Sequence, residues 1–173
     1  MILSQAYKNK GFTLIEILMV VVILGISAMV AIPMLGSGAS MQMRSAANKI
    51  AADIEYAKSM AISRQQNYTV NFDMSNNSYQ IQDSSGTVIS DPMKSSDDFD
   101  VDFDKVPSLS AVSISAIDFD GESSITFDYL GSPYAGSTSS TPLIDGSDGI
   151  TISAGDMDFE IIVEPVTGYI SIQ

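Results

Sequence analysis

The sequence predicts an α+β fold in which one long N-terminal helix packs on an antiparallel β-sheet head. Three patterns predict it: a nearly unbroken apolar run over residues 12–33, an apolar stripe with helical spacing over residues 43–61, and alternation of apolar and polar residues after Gln66. At 173 residues the chain can form one domain with a core and one extended appendage, but not two full domains. We therefore expect one head and one tail.

The apolar run is long enough to cross a bilayer, since roughly 20 helical residues span the hydrocarbon core. Glu16 is the one charged residue between residues 12 and 33. Lys8 and Lys10 precede the run, so the positive-inside rule places the N-terminus in the cytoplasm and the head across the membrane. Residues 12–35 are therefore predicted to form a transmembrane helix.

Glu16 is the unusual residue of this helix. A carboxylate at the centre of a membrane helix costs about 2.5 to 3.5 kcal/mol, and such residues usually have a partner or a function. Position alone leaves two readings open. The side chain lies near the start of the run, so it could reach the headgroups at little cost, or it could have a specific partner.

Residues 10–16 read Lys-Gly-Phe-Thr-Leu-Ile-Glu, which resembles the class III signal of type IV pilins and type II secretion pseudopilins. The resemblance implies a leader peptide over residues 1–11, cut after Gly11 by a membrane-embedded prepilin peptidase. It implies that Phe12 becomes the new, N-methylated terminus. It also implies that Glu16 acts in assembly, by pairing with the N-terminal amine of a neighbouring subunit.

The same resemblance implies a helix kink, partners and a location. Gly25 and Pro33 lie where pilin helices commonly carry Gly and Pro, and we expect the helix to kink there. The implied partners are the prepilin peptidase and N-methyltransferase, other pilin or pseudopilin subunits, and an inner-membrane assembly platform. We expect a single-pass protein of the bacterial inner membrane, with a periplasmic or extracellular head, that then enters a filament.

Residues 36–66 are predicted to form an amphipathic helix that packs on the head. Pro33 and the glycines near residue 37 favour a kink or a melted turn before it. Spacings of 4, 3, 4, 3 and 4 place one apolar stripe on a single helix face: Met43, Ala47, Ile50, Ile54, Ala57 and Ala61. The stripe covers under three heptads, which favours packing on the head's own sheet over a coiled-coil seam or a partner helix.

Residues 67–173 are predicted to form the β-rich head. Alternation over residues 68–74 and 79–81, around a turn at 75–77, predicts a hairpin. Such alternation is typical of antiparallel strands with one buried and one wet face. Further strands are predicted at residues 112–115, 125–129, 150–152, 159–163 and 170–172, with a turn at 165–168 and long loops at 83–110 and 131–148.

Within the family, the head resembles the GspH/FimT-type minor (pseudo)pilin group. The helix end at residues 57–64 leads directly into a strand, residues 125–127 are followed shortly by Gly131, and a hairpin closes the chain at 166–170. The resemblance implies a minor pseudopilin of a type II secretion pseudopilus. A minor or major pilin of a type IV pilus, acting in adhesion, motility or DNA uptake, is the alternative, followed by a single-pass membrane protein with an acidic binding head.

Charge and composition exclude several other function classes. After Gln65 the chain carries Lys94 and Lys105 against eighteen Asp and Glu residues. Such a surface repels phosphate backbones, so we expect no nucleic-acid binding by the head. With no His and no Cys, the chain cannot form a Ser-His-Asp triad, a Cys-His pair or a His-ligated zinc site. We therefore expect no enzymatic activity.

The acidic clusters leave calcium as an open hypothesis. Asp100, Asp102 and Asp104 supply closely spaced carboxylates, which a hard cation needs, although their spacing does not fit an EF-hand. Alternation with apolar residues suits a strand with a solvated acidic face equally well. Residues 118–122 and 145–149 carry similar clusters. No other cofactor is expected.

Overall fold

The computed structural model describes residues 12–35, 37–94 and 97–173. The predicted leader, with Lys8, Lys10 and Gly11, lies outside the described residues, as does Gly36. The chain divides into two compact units between Ser37 and Gly38. The first contains helix α1 (Leu14–Leu35), and helix α2 (Ser37–Arg64) runs into the second.

Helix α1 has 22 residues and consists almost entirely of apolar side chains. It continues through Gly25 and ends two residues after Pro33, and the kink expected at these positions stays a prediction. Among the described residues, no helix combines the length and the apolar character that crossing a membrane requires.

Helix α2 contributes one face to the core of the head. All six residues of the predicted stripe are at most 1% exposed, and Ala46 is buried beside them. The stripe is therefore confirmed as a packing face. The helix ends in a Schellman motif, because Gln65 has a φ of 55° and the amide of Gln66 donates to the carbonyl of Ala61 (3.3 Å).

The first sheet has six antiparallel strands in the order β3-β2-β1-β5-β6-β7. The second has four antiparallel strands in the order β10-β9-β8-β4. Their bounds are β1 (Tyr68–Asp73), β2 (Ser78–Gln82), β3 (Asp100–Asp102), β4 (Ser113–Asp118), β5 (Ser124–Phe127), β6 (Pro133–Ala135), β7 (Thr141–Pro142), β8 (Gly149–Ala154), β9 (Met157–Val163) and β10 (Ile170–Ile172).

The predicted hairpins are confirmed, and the predicted loops need correction. Strands β1 and β2 pair around the turn at residues 74–77, and β9 and β10 pair around the turn at 164–169. The predicted loop at 131–148 contains β6 and β7, and the one at 83–110 contains β3. Strands β6 and β7 have three and two residues, which is too short for alternation to show in the sequence. Strand β3 lies within the alternating residues 99–103, which suited a strand.

The central strands of the first sheet are buried on both faces, so the expected wet face is wrong there. Thr69 of β1 and Thr126 of β5 are 5% and 0% exposed. Their hydroxyl oxygens lie 2.8 Å apart, and Thr126 Oγ1 donates to the carbonyl of Gly136 (2.7 Å). Asn67 donates to the Ser139 hydroxyl (3.0 Å), so the segment after β6 covers this face.

Replacing Thr126 with valine should destabilise the head although the volume is conserved. The change removes both hydroxyl hydrogen bonds and leaves the buried carbonyl of Gly136 unpaired, which costs roughly 1 to 3 kcal/mol. Urea unfolding of the full chain in detergent, followed by far-ultraviolet circular dichroism, measures the loss. Thr141→Val, at an exposed position of β7, is the control and should stay within about 0.5 kcal/mol. Equal midpoints for the two variants would contradict the buried network.

Candidate functional site

The first turn of α1 is closed by a reciprocal pair of side chains. The amide of Glu16 donates to Thr13 Oγ1 (3.3 Å), and the amide of Thr13 donates to Glu16 Oε2 at 3.5 Å. The carbonyl of Thr13 accepts from the amides of Glu16 and Ile17 (3.1 and 3.2 Å). This is a capping box, in which each side chain satisfies an amide that the helix leaves free.

Glu16 therefore has a local role that the sequence analysis did not assign. The signal was available, because a Thr three residues before a Glu at the start of an apolar run is the sequence signature of a capping box. The carboxylate lies at the N-terminal end of the helix, beside backbone amides that have no partner within the helix. Within the part of the chain that the structure describes, no Lys or Arg forms an ion pair with it.

The surface around Glu16 is apolar and uncovered. Every described side chain of residues 12–27 is exposed, from 49% at Val20 to 84% at Leu14 among the large apolar ones. Phe12, the predicted new terminus, is 79% exposed. Contiguous apolar surface of this extent marks a site of contact with protein or membrane. Unit one thus presents an apolar helix with one carboxylate beside its start.

The calcium candidates at residues 100–104 are engaged in local structure. Asp102 Oδ1 accepts from the amides of Asp104 and Lys105 (3.0 and 3.3 Å), which begins a short 3-10 helix. Its other oxygen lies 2.8 Å from Lys105 Nζ, and the hydrogen bond with Lys105 lowers the pKa of Asp102. Asp104 Oδ1 accepts from the Asn77 side chain (3.0 Å), while the third candidate, Asp100, belongs to β3.

Alternation of buried apolar residues supports the interpretation of this segment as a strand. Phe99, Val101 and Phe103 are 4%, 6% and 0% exposed, so the residues form a strand and 3-10 turn with their apolar side chains inward. In the described ranges, no group of three or more Asp or Glu residues is placed to hold a metal ion. Calcium binding stays a prediction.

The structure does join the two other acidic segments. The amide of Asp120 donates to Asp148 Oδ1 (3.2 Å), and Asp120 Oδ2 accepts from the amide of Ile144 (3.0 Å). Asp148 is 5% exposed, and its second oxygen is buried with no hydrogen-bond partner. Burial raises the pKa of Asp148, and the carboxylates of Asp120, Asp145 and Asp118 raise it further, against the opposing hydrogen bond from Asp120.

Two parts of the chain match known protein families. Residues 7–32, which include the capping box and most of the exposed apolar surface, match the prokaryotic N-terminal methylation motif. Residues 46–157, from the buried face of α2 to the start of β9, match the family described as type II transport protein GspH. The chain belongs to the GspH family. Its members are structural subunits, so the chain is a pilin-like subunit and not an enzyme.

Two solved structures are similar to this GspH-family chain. The minor pseudopilin EpsH from the type 2 secretion system of Vibrio cholerae has 11% sequence identity and a TM-score of 0.50, over 75% of this chain and 94% of that one. The type IV minor pilin FimU of Pseudomonas aeruginosa has 14% identity and a TM-score of 0.44, over 75% and 91%. A search of curated protein sequences found no match. The similarity to EpsH confirms the predicted pilin-like fold.

Asp148→Asn should make the stability of this GspH-family head less sensitive to pH. Because the folded state raises the pKa of Asp148, the folded chain holds its proton more tightly than the unfolded chain. The free energy of unfolding therefore falls as pH rises from the ordinary value of 3.8 through the folded pKa. The asparagine variant lacks this fall, so its melting temperature should exceed that of the wild type at neutral pH.

Thermal unfolding between about pH 4 and pH 7 measures the effect, since this window starts at the ordinary pKa of an aspartate. Asp156→Asn, at an exposed position in the β8–β9 turn, is the matched control and should follow the wild type. A melting temperature at pH 7 that is equal to or below the wild type's would show that Asp148 is folded without cost in its charged form.

Proposed function

We propose that the chain is a minor pseudopilin of a type II secretion pseudopilus, processed by prepilin peptidase after Gly11 and assembled through α1. One observation carries the proposal: unit one is an apolar helix with every described side chain of residues 12–27 exposed and a single carboxylate at its start. A helix of this kind needs a covering partner along its whole length. A filament core supplies that cover from identical or related helices.

Glu16 and Phe12 have complementary roles in this assembly. Cleavage after Gly11 would give Phe12 a free amine, whose charge methylation retains. A carboxylate in an apolar environment costs several kcal/mol unless a hydrogen-bonded cation offsets it. The capping box fixes the Glu16 carboxylate at the helix start, where the amine of a neighbouring subunit could reach it. Only a correctly registered neighbour would bring the two groups together.

Before assembly, we propose that α1 anchors the subunit in the bacterial inner membrane. Lys8 and Lys10 would remain on the cytoplasmic side, and the head would face the periplasm. The apolar composition of residues 12–35 and the N-terminal methylation motif over residues 7–32 support this location. The assembly platform of the inner membrane would then transfer α1 from lipid to filament.

A pilin of a type IV pilus is the second candidate. The capping box and the exposed face of α1 would serve either machine, because both assemble their subunits through such helices. The match to the GspH family over residues 46–157 favours secretion. A single-pass membrane protein with an acidic binding head would share the helix, but it would need no cleavage after Gly11.

Analysis of the mature N-terminus tests the proposal. Edman sequencing and intact mass of the full chain, purified from its own membranes, should show a methylated Phe12 as the first residue. A Gly11→Leu variant should retain its leader, since a bulky residue replaces the glycine at the cut. An unprocessed Met1 terminus on the wild-type chain would contradict both filament functions. Immunogold imaging of sheared surface fibres then separates the two machines, because a secretion pseudopilin should be absent from those fibres.

A further inference from the structure

Three segments that are distant in sequence meet at the C-terminal end of α2. Lys58 Nζ donates to the carbonyl of Gly168 in the β9–β10 turn (3.0 Å). A β-carbon at Gly168 would lie 3.0 Å from the carbonyl oxygen of Gly131, in the β5–β6 turn, and one at Gly131 would lie 2.9 Å from Ile62 Cδ1. The helix end and the two turns therefore form one surface.

This surface exposes large side chains that are wholly or partly apolar. We call it the tip patch, and it consists of Ile62, Tyr129, Leu130, Val166 and Tyr169. Their exposed fractions are 47%, 56%, 69%, 80% and 62%. Two of the five are tyrosines, which are enriched at protein interfaces because they bury a large area at a low cost in conformational entropy. None of the five belongs to the core of the head.

The backbone of Val166 is a second and independent observation. Its φ is 66°, a left-handed conformation that is unfavourable for a β-branched residue. The turn is held by hydrogen bonds from Gly168 N to Glu164 O (2.9 Å) and from Glu164 N to Tyr169 O (2.8 Å). The strain therefore presents an apolar side chain to solvent without adding to the core, which indicates a functional surface.

The tip patch also differs from the rest of the head in charge. The acids of its two turns are Asp128 and Glu164. Asp128 is 7% exposed and accepts hydrogen bonds from Leu130 N, Ser132 N and the Tyr134 hydroxyl. The last two turns of α2 contain two cations, Lys58 and Arg64. Lys58 Nζ lies 3.9 Å from Glu55 Oε1. The region is close to neutral, so another acidic head can approach it without strong repulsion.

Size limits the kind of contact that the tip patch can make. Five partly exposed side chains offer less than the roughly 800 Å² per partner that a stable stand-alone complex buries. A contact of this size is sufficient only where another surface already holds the two proteins together. In this chain, the exposed apolar face of α1 supplies such a surface.

We propose that the tip patch packs against an apolar surface on the head of a different subunit that lies next to this chain in the filament. The inference rests on the proposed function, in which a minor subunit has unlike neighbours. Leu130 and Val166, the most exposed residues of the tip patch, make the central contact. The strained turn holds Val166 in place before the partner arrives, which lowers the entropy cost of binding.

Photo-crosslinking in cells that assemble the filament tests the inference. A photoreactive amino acid replaces Leu130 in the full chain, and the crosslinked peptides are identified by mass spectrometry. An adduct with the head of a different pilin-type subunit is expected. The same probe at Met93, which is 92% exposed and lies outside the tip patch, should give no such adduct. Val166→Asp should lower the adduct yield at Leu130 by about tenfold, the effect of losing one central interface contact.

The outcomes separate this inference from the proposed function. A processed Phe12 terminus and normal filament incorporation, with no adduct at Leu130, would overturn the tip patch alone. An adduct to lipid, to a protein outside the filament or to a second copy of this chain would also overturn it. Retention of Met1 with no filament entry would instead refute the proposed function. Ile144→Asp, at an exposed apolar position elsewhere on the head (78%), controls for added charge and should leave the yield unchanged.

Discussion

Glu16→Ala is expected to leave cleavage after Gly11 intact and to abolish incorporation into filaments. In the proposed assembly, cleavage depends on the leader, whereas incorporation depends on contact between the Glu16 carboxylate and a neighbour's Phe12 amine. Removing one partner of a charge pair in an apolar environment costs about 3 to 5 kcal/mol, so incorporation should fall roughly a hundredfold or more. Quantitative immunoblots of filament and membrane fractions measure it.

The capping box makes two control variants necessary, because alanine removes the cap and the charge together. Glu16→Gln keeps the cap, since glutamine also serves in a capping box, but it lacks the charge; incorporation should fail. Thr13→Ala removes the Thr13 hydroxyl that accepts from Glu16 N and keeps the charge; incorporation should be close to normal. Filament entry by Glu16→Gln would show that Glu16 acts as a cap and not as a charged partner.

Gly149→Ala is expected to give the largest loss of stability in the head. Gly149 begins β8 and pairs with Ile162 of β9 and Asp118 of β4. A β-carbon at this position would overlap the carbonyl oxygen of Ile161. That oxygen is backbone in a central strand pair, so the strands themselves would have to separate. We expect a loss of about 3 kcal/mol or more in the free energy of unfolding.

Urea unfolding of the full chain in detergent measures this loss. Gly38→Ala is the matched control, because a β-carbon at Gly38 meets no atom within 4 Å and the residue lies in helix α2. Alanine there should be neutral or should stabilise the helix by up to about 1 kcal/mol. A Gly149→Ala midpoint close to that of the wild type would show that β8 and β9 can separate at Gly149 with little loss of free energy.

The sequence predicts those elements in which buried residues recur at a regular spacing. The stripe from Met43 to Ala61 is buried as predicted, because a helix face reads directly as a spacing of three and four. Strands β6 and β7 were missed because they are short, and their pairing depends on hydrogen bonds to neighbouring strands. Thr126 is buried beneath the segment that follows β6, so its polarity wrongly indicated a wet face.

The candidate sites differ in the same way, because some depend on neighbouring residues and others on residues far apart in the sequence. The Thr13–Glu16 cap is local and could have been predicted from the three-residue spacing. The hydrogen bond between Asp120 and Asp148 joins loops 28 residues apart. The tip patch joins three segments, of which the first and the last are separated by about a hundred positions. Neither of these has a sequence pattern, because each depends on how the two sheets are arranged.

The hydrogen bond from Lys58 to Gly168 spans 110 positions of the chain, and this has a consequence for biogenesis. Helix α2 is synthesised early, yet its last turns gain this contact only after residue 168 has been made. Until then the head is unfinished, and the apolar stripe of α2 lacks part of its sheet. Contacts of such long range form slowly. In the proposed inner-membrane location, insertion of α1 would precede completion of the head, and the unfinished head would be tethered at the membrane while it folds.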